Sequence, residues 1–281
     1  MSSKYIKSPL NYTGGKYKLL PQILPLFPDN ISTFIDLFGG GSNVSINVNA
    51  DKIIYNDLNL KVVQILETFD NSSTVDMINY IDSKIIEFDL SKTNTQGFLD
   101  LRNKYNTCET KNPMDLYVLI CYAFNNQIRF NSKGEYNMPF GKNKSSFNDT
   151  LRQKFTDFCC ELHKKNISFT NSDFREYSDI EFDKDTFIYC DPPYLSSTAT
   201  YNEKNGWTEK DELDLYDFLC KITAKNVRWA LSNNLSTNPL LEEFANKNAL
   251  KIHYLNNSYS NCNYHKKDKT NKDCEVLITN Y

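Results

Sequence analysis

Short apolar runs of β-type residues alternate with longer segments of helical periodicity. That alternation restricts the chain to an α/β architecture on a largely parallel sheet. Thr33-Phe-Ile-Asp-Leu-Phe38 reads as the first strand and runs straight into Gly39-Gly40-Gly41. Lys52–Tyr55, Ile167–Thr170, Thr186–Cys190, Val227–Ser232 and Glu275–Thr279 read as the others. Helical patterns fall over Lys16–Leu26, Leu58–Thr68, Ser73–Phe88, Gln96–Tyr105, Met114–Asn126, Leu151–Lys165 and Glu209–Lys225, with a further helix expected behind the glycines. About a hundred mainly helical residues separate the second strand from Ile167. A crossover between parallel strands needs far fewer, so residues 58–165 read as an inserted lobe. Within it, Arg129–Gly141 carries Ser-Lys-Gly between aromatic-rich segments, the pattern of a β-hairpin.

The 281 residues suffice for one large α/β domain with such an insertion, and 40% hydrophobic with 24% charged residues fits a packed globule. No apolar run approaches the roughly 18 residues that span a bilayer. The opening Met1–Lys7 lacks the apolar core of a secretory signal, so the expectation is a soluble cytoplasmic protein without a membrane partner. The eight cysteines contain no Cys-x-x-Cys, and Cys262 with His265 is a close Cys/His pair. Structural zinc wants two such clusters, so no metal site is expected and the thiols are read as reduced. Net charge is −3, yet Gln127–Lys165 holds eight Lys/Arg against four Asp/Glu, and Asn261–Lys272 four Lys against one Asp. A mildly acidic protein can still turn a basic face to phosphates; solvated surface lysines explain the charge equally well.

Gly39-Gly40-Gly41 forms a strand-to-helix turn where backbone can approach a ligand closely. It is neither Gly-x-Gly-x-x-Gly nor a Walker A loop, and a merely tight turn is an equal reading. Asp57 follows Asp36 by 21 residues and lies just past the second strand, where α/β nucleotide binders place an acid on ribose hydroxyls. It reads equally as a helix cap before Leu58. The most specific signal is Asp191-Pro192-Pro193-Tyr194, directly after the strand Thr186–Cys190. Two prolines can simply end a strand, but that leaves the flanking acid and aromatic unexplained.

Amino-group methylation gives each of these residues work. An exocyclic amine on adenine is a poor nucleophile because its lone pair is delocalised into the ring. A carboxylate and a backbone carbonyl that accept its two N–H bonds draw the nitrogen toward tetrahedral geometry. Proline holds that carbonyl in place. A neighbouring aromatic ring can stack on the base once it has left the duplex.

With these residues the chain resembles the Dam-type DNA adenine-N6 methyltransferases, the D12 class found in bacteria and phages. The resemblance runs through Asn11-Tyr-Thr-Gly-Gly-Lys16, Phe34–Gly41, Tyr55-Asn-Asp57, Arg129–Gly141, Asn171-Ser-Asp-Phe174, Asp191–Tyr194 and Glu275–Tyr281. The order of glycine turn, recognition lobe and catalytic tetrapeptide is that of the α group. It implies a Rossmann-like sheet that binds S-adenosylmethionine, residues 1–57 and 166–281, and a mainly helical target-recognition domain, residues 58–165.

The same resemblance implies a cofactor site formed by Tyr12, Gly14, Lys16, Asp36, Phe38, Gly39, Gly40, Asp57, Asp173, Phe174 and Asp191. It implies catalysis by Asp191, Pro192 and Tyr194. Arg129 corresponds to a hairpin arginine that reads guanine, with Phe124, Asn125, Asn131 and Pro139 at neighbouring DNA contacts. Members with this hairpin usually methylate the adenine of GATC in double-stranded DNA. A restriction endonuclease is then a candidate genetic partner, and a monomer suffices for the chemistry. Ser42 stands where the family's cofactor loop has its last glycine, which puts the loop geometry in question. From periodicity alone Lys16 is an ordinary surface lysine, and Phe124, at the end of an apolar helix, packs in the core equally well.

Other readings are an amino-methyltransferase acting on a different DNA site, on cytosine N4 or on RNA, and a catalytically silent DNA-binding regulator. Intact Asp191, Tyr194 and Lys16 argue against the latter. A dinucleotide oxidoreductase would need Gly-x-Gly-x-x-Gly and would leave Asp191–Tyr194 without a role.

Overall fold

The protein is described here as a computed structural model covering residues 5–195, 206–256 and 274–281. The Cys262/His265 pair and the basic stretch Asn261–Lys272 lie outside the described residues.

Seven strands form one sheet: β1 (Thr33–Asp36), β2 (Lys52–Asn56), β3 (Ile167–Thr170), β4 (Thr186–Cys190), β5 (Arg228–Asn234), β6 (Lys251–Tyr254) and β7 (Glu275–Thr279). Their order is β3-β2-β1-β4-β5-β7-β6. All neighbours are parallel except β7, which runs antiparallel to both β5 and β6. β1, β4 and β7 are buried along their whole length, as continuous apolar runs require when both faces are covered. From β1 the chain moves outward to β2 and β3, then returns to place β4 on the other side of β1. The carboxyl ends of β1 and β4 therefore flank the point where the strand order reverses, the crevice in which open α/β sheets bind ligands.

Eight α-helices are described: α1 (Leu20–Ile23), α2 (Leu60–Asn71), α3 (Thr74–Glu87), α4 (Thr95–Thr107), α5 (Pro113–Tyr122), α6 (Asp149–Leu162), α7 (Glu209–Ala224) and α8 (Pro239–Lys247). Asparagines cap five of them; Asn59, Asn94, Asn112, Asn148 and Asn238 each accept a backbone N–H of the first turn. Helices α2 to α6 all lie between β2 and β3, and α5, buried at every residue but Pro113 and Asp115, is the rod around which the others pack. Their apolar core is continuous with Leu10, Ile46 and Tyr55 beneath the sheet's edge.

Four expected elements differ. No helix follows the glycines; residues 43–47 form successive turns. The Asn47 side chain donates to the carbonyls of Ile6 and Asn43, and Asn43 accepts from Ser8 N. Asparagines that bond locally, between β-branched Val44, Ile46 and Val48, favour turns over helix. Lys16–Leu26 is a composite of 3₁₀ turns around the four residues of α1, because Pro21 and Pro25 remove interior donors. The helix begun at Pro113 ends at Tyr122, since Asn125 and Asn126 take positive φ values of 53° and 52°. The expected hairpin is a chain reversal with isolated antiparallel bridges, Phe130 to Tyr136 and Ala123 to Phe140, instead of a continuous ladder. Asn131 Oδ1 accepts from the backbone of both Lys133 and Glu135, tying the reversal through a side chain.

Candidate active site

β1 and β4 run in register, Asp36 opposite Tyr189, so the segments that leave them, Leu37–Gly41 and Asp191–Tyr194, emerge side by side. Gly39 lies over Tyr55 of β2. A Cβ at Gly39 would come within 2.2 Å of the Tyr55 ring, so only glycine lets the chain cross there. The Tyr55 hydroxyl donates to Gly40 O at 2.6 Å and fixes the turn from below. Gly40 has φ +48°, and a Cβ on it would meet the Tyr12 ring at 3.0 Å. Ser42, the departure from the family's glycine, has φ +60°, and its buried Oγ finds no hydrogen-bond partner among the described residues. The turn keeps a glycine-type conformation with a serine in it.

Three carboxylates surround this turn. Asp57 accepts from Gly40 N and from Asn59 N, both at 2.8 Å, and burial pushes its carboxyl up to about 6. The cap of α2 is Asn59, so the cap reading of Asp57 is overturned. Asp36 accepts a short hydrogen bond from the Ser45 hydroxyl on Oδ2, while its buried Oδ1 has no partner among the described residues. Burial, with Asp191 and Asp57 nearby, pushes Asp36 up to about 7. Asp191 is raised to about 6 by burial, opposed by Lys16.

Lys16 is 3% exposed, which overturns the surface-lysine reading. Its ammonium donates to Gly14 O at 2.9 Å, pairs with Asp191 Oδ1 at 2.6 Å, and stands 5.0 Å from the centre of the Tyr194 ring. One side chain thus joins the N-terminal glycine motif to both ends of the tetrapeptide. Pro192 is buried between them. Phe38 and Phe174 meet with ring centroids 5.6 Å apart, and Trp207 packs against both. Asp173, expected beside the cofactor, caps the turn at Phe174 and holds Arg175 at 3.0 Å.

S-adenosylmethionine carries two positive centres, a sulfonium and an α-ammonium. The residues present fit it: buried Asp36 and Asp57 and half-buried Asp191 stand around a glycine cradle, and among the described residues one lysine pairs with them and Asp36 Oδ1 finds no partner.

The expected DNA-contact residues gather around the chain reversal. Phe124 is 45% exposed, against the core-packing reading, and donates its N–H to Pro139 O at 2.8 Å. Asn125 and Pro139 are exposed beside it, and Asn11 donates to Asn125 O at 2.6 Å, linking this surface to the Tyr12–Lys16 motif. Arg129 is exposed, with Nε on Asn137 Oδ1 at 2.9 Å and Nη2 on Asn137 O at 3.0 Å, which fixes the guanidinium against Asn137. Asn131 is engaged in shaping the turn and in a bond to Glu135. Arg152 pairs with Asp82, and Lys164 and Lys165 with Glu161. Lys133, Lys142 and Lys144 are exposed and in no ion pair among the described residues.

Sequence reasoning assigned no role to Ser45, Asn137, Trp207 or Glu275. Asn137 and Glu275 lie inside matched segments, but their pairing with Arg129 and Tyr194 emerges only in three dimensions.

A strand-order reversal lined by a glycine turn, buried acids and Asp-Pro-Pro-Tyr is the setting of a methyltransferase that acts on amino groups. A model of the D12 class N6 adenine-specific DNA methyltransferases matches residues 12–272, and the chain belongs to that family of adenine-specific enzymes. It is 48% identical to the type II methyltransferase M.FokI of Planomicrobium okeanokoites and 44% identical to the modification methylase StsI of Streptococcus sanguinis. Each match covers 100% of this chain and 44% of the relative, so the chain spans less than half the length of these proteins. The DNA adenine methylase of Haemophilus influenzae is 29% identical, over 66% of this chain and 63% of that one.

Proposed function

We propose that this chain transfers a methyl group from S-adenosylmethionine to N6 of adenine in double-stranded DNA. The observation that carries the reading is the junction of Lys16, Asp191 and Tyr194 at the carboxyl ends of β1 and β4, beside the glycine turn. Bound there, the cofactor supplies an electrophilic methyl on a sulfonium. Tyr12, Gly14, Lys16 and Asp36 hold its amino-acid end, Phe38, Gly39 and Gly40 form the cradle, and Asp57 takes the ribose. Asp173 and Phe174 bound the adenine side. Asp191 and the Pro192 carbonyl accept the two N6–H bonds, which localises the lone pair on nitrogen. The ring of Tyr194 stacks on the extruded base.

Residues 1–57 and 166–281 form the cofactor-binding part of this reading, and residues 58–165 the target-recognition part. Arg129 reads a guanine through its paired donors, with Phe124, Asn125, Asn131 and Pro139 on the same surface. A monomer suffices. The hairpin pattern points to GATC. A second reading, another adenine-containing site, is favoured by the relatives at 44% and 48% identity, which carry type II and modification names, whereas the adenine methylase of Haemophilus influenzae stands at 29%. Under that reading a restriction endonuclease of the same specificity is the genetic partner.

DNA from cells expressing the protein, digested with a GATC endonuclease that adenine methylation blocks, separates the two. Protection assigns GATC. Full cutting with soluble protein present removes GATC and leaves the second reading.

A further inference from the structure

Glu275 opens β7, facing Asn234 of β5 in the ladder, and it is buried. It forms no ion pair among the described residues. Its Oε2 accepts the hydroxyl of Tyr194 at 2.9 Å. A carboxylate buried without a cation is costly, and packing alone does not call for one. What it touches is the aromatic end of the catalytic tetrapeptide. Tyr194 is thereby gripped at two places, with the Lys16 ammonium over its ring face and Glu275 at its hydroxyl. A tyrosine held only by its Cα–Cβ bond can tilt about both side-chain torsions, and a stacking platform that tilts loses overlap with the base. A charge-assisted hydrogen bond at the far end removes that freedom.

We infer that Glu275 is a positioning residue of the methylation centre, fixing through the Tyr194 hydroxyl the plane on which the extruded adenine stacks. The inference rests on the proposed function. Glu275 itself touches neither base nor cofactor in this account. Its charge also pushes the Asp191 carboxyl up, so Tyr194→Phe, which leaves that charge in place, isolates what passes through the hydroxyl and separates it from a residue that merely closes the end of the β5–β7 ladder.

The test compares wild type, Tyr194→Phe, Glu275→Gln, Glu275→Ala and the double variant Tyr194→Phe/Glu275→Gln. Single-turnover methylation is followed on a duplex the wild type methylates, and 2-aminopurine fluorescence on the same duplex labelled at the target adenine. Tyr194→Phe and Glu275→Ala should each slow methylation about 10- to 100-fold, the range of one charge-assisted hydrogen bond. Glu275→Gln keeps an acceptor and should slow it less. The double variant should be no slower than the slower single, because both changes break one contact. Aminopurine emission in the cofactor complex should be brighter in Tyr194→Phe and Glu275→Ala than in wild type, with Glu275→Gln between them, since a less firmly held ring stacks less well. S-adenosylmethionine affinity should stay within a few-fold.

Losses that multiply in the double variant, or unchanged aminopurine emission beside slowed methylation, would overturn the inference and leave Glu275 a structural residue. If Glu275→Ala does not fold, the isosteric glutamine arm decides by the same criteria. A wild type that forms no N6-methyladenine on any duplex overturns the proposed function, and the inference with it.

Discussion

Asp36, Asp57 and Asp191 titrate in the folded protein at about 7, 6 and 6. An aspartate in an unfolded chain titrates near 4. Between these limits the folded state holds more protons than the unfolded one, so stability falls as pH rises from about 4 to about 7. The melting temperature of cofactor-free protein should therefore climb as pH drops from 8 to 5.5, and climb less in Asp36→Asn. A flat profile in both proteins would contradict the buried-carboxylate account. Turnover responds in the opposite sense. In the proposed reaction Asp191 is ionised when it accepts N6–H, so activity should fall as pH drops below about 6. Two substitutions probe the turn itself. Asp57→Ala should raise the dissociation constant for S-adenosylmethionine at least tenfold, because a hydrogen bond to a charged group is worth about 1.5–3 kcal/mol. A lower melting temperature with unchanged affinity would reduce Asp57 to shaping the turn through Gly40 N. Ser42→Gly should raise stability by about 0.5–1 kcal/mol, since it relieves a positive φ and removes an unpartnered buried hydroxyl. Denaturant unfolding measures it.

At the scale of elements, the apolar runs that make β1, β4 and β7 were legible because strands buried on both faces write themselves as unbroken β-branched and aromatic stretches, and β2, β3 and β5 were legible from shorter runs. β6 was not, because Lys-Ile-His-Tyr is a half-exposed edge strand with no such run. α8 was missed although Asn238 and Pro239 form a cap and first-turn signal; Leu-Leu-Glu-Glu-Phe is too short to establish a period. Site residues lying within one motif could be read, whereas Asp36 with Ser45, Tyr194 with Glu275 and Asn11 with Asn125 meet only once the sheet closes. The reversal 129–141 separates reading from anchoring. Arg129→Ala should cost about 1–3 kcal/mol on the cognate duplex and less on one changed at the guanine. Alanine at Lys133, Lys142 or Lys144 should weaken all duplexes alike and lower the salt slope by about one each. Methylation rates on both duplexes across salt concentrations distinguish them. Uniform loss for Arg129→Ala would make it a phosphate anchor.

For the whole molecule, one sheet joins two bodies of structure. A core beneath α7 and α8 backs the carboxyl ends of β1 and β4, and a second core runs from Tyr55 into the helices between β2 and β3. The glycine turn sits on Tyr55, so the proposed cofactor cradle rests on the same packing that carries the surface around Arg129. A chain that covers 44% of two of its relatives thus carries both the proposed methylation centre and the proposed DNA surface. The direct measurement is mass spectrometry of nucleosides from duplex DNA incubated with purified protein and methyl-labelled S-adenosylmethionine. The account predicts label in N6-methyldeoxyadenosine, absent when Asp191 is replaced by alanine. Label in N4-methyldeoxycytidine instead, or none in DNA with folded protein present, would contradict it.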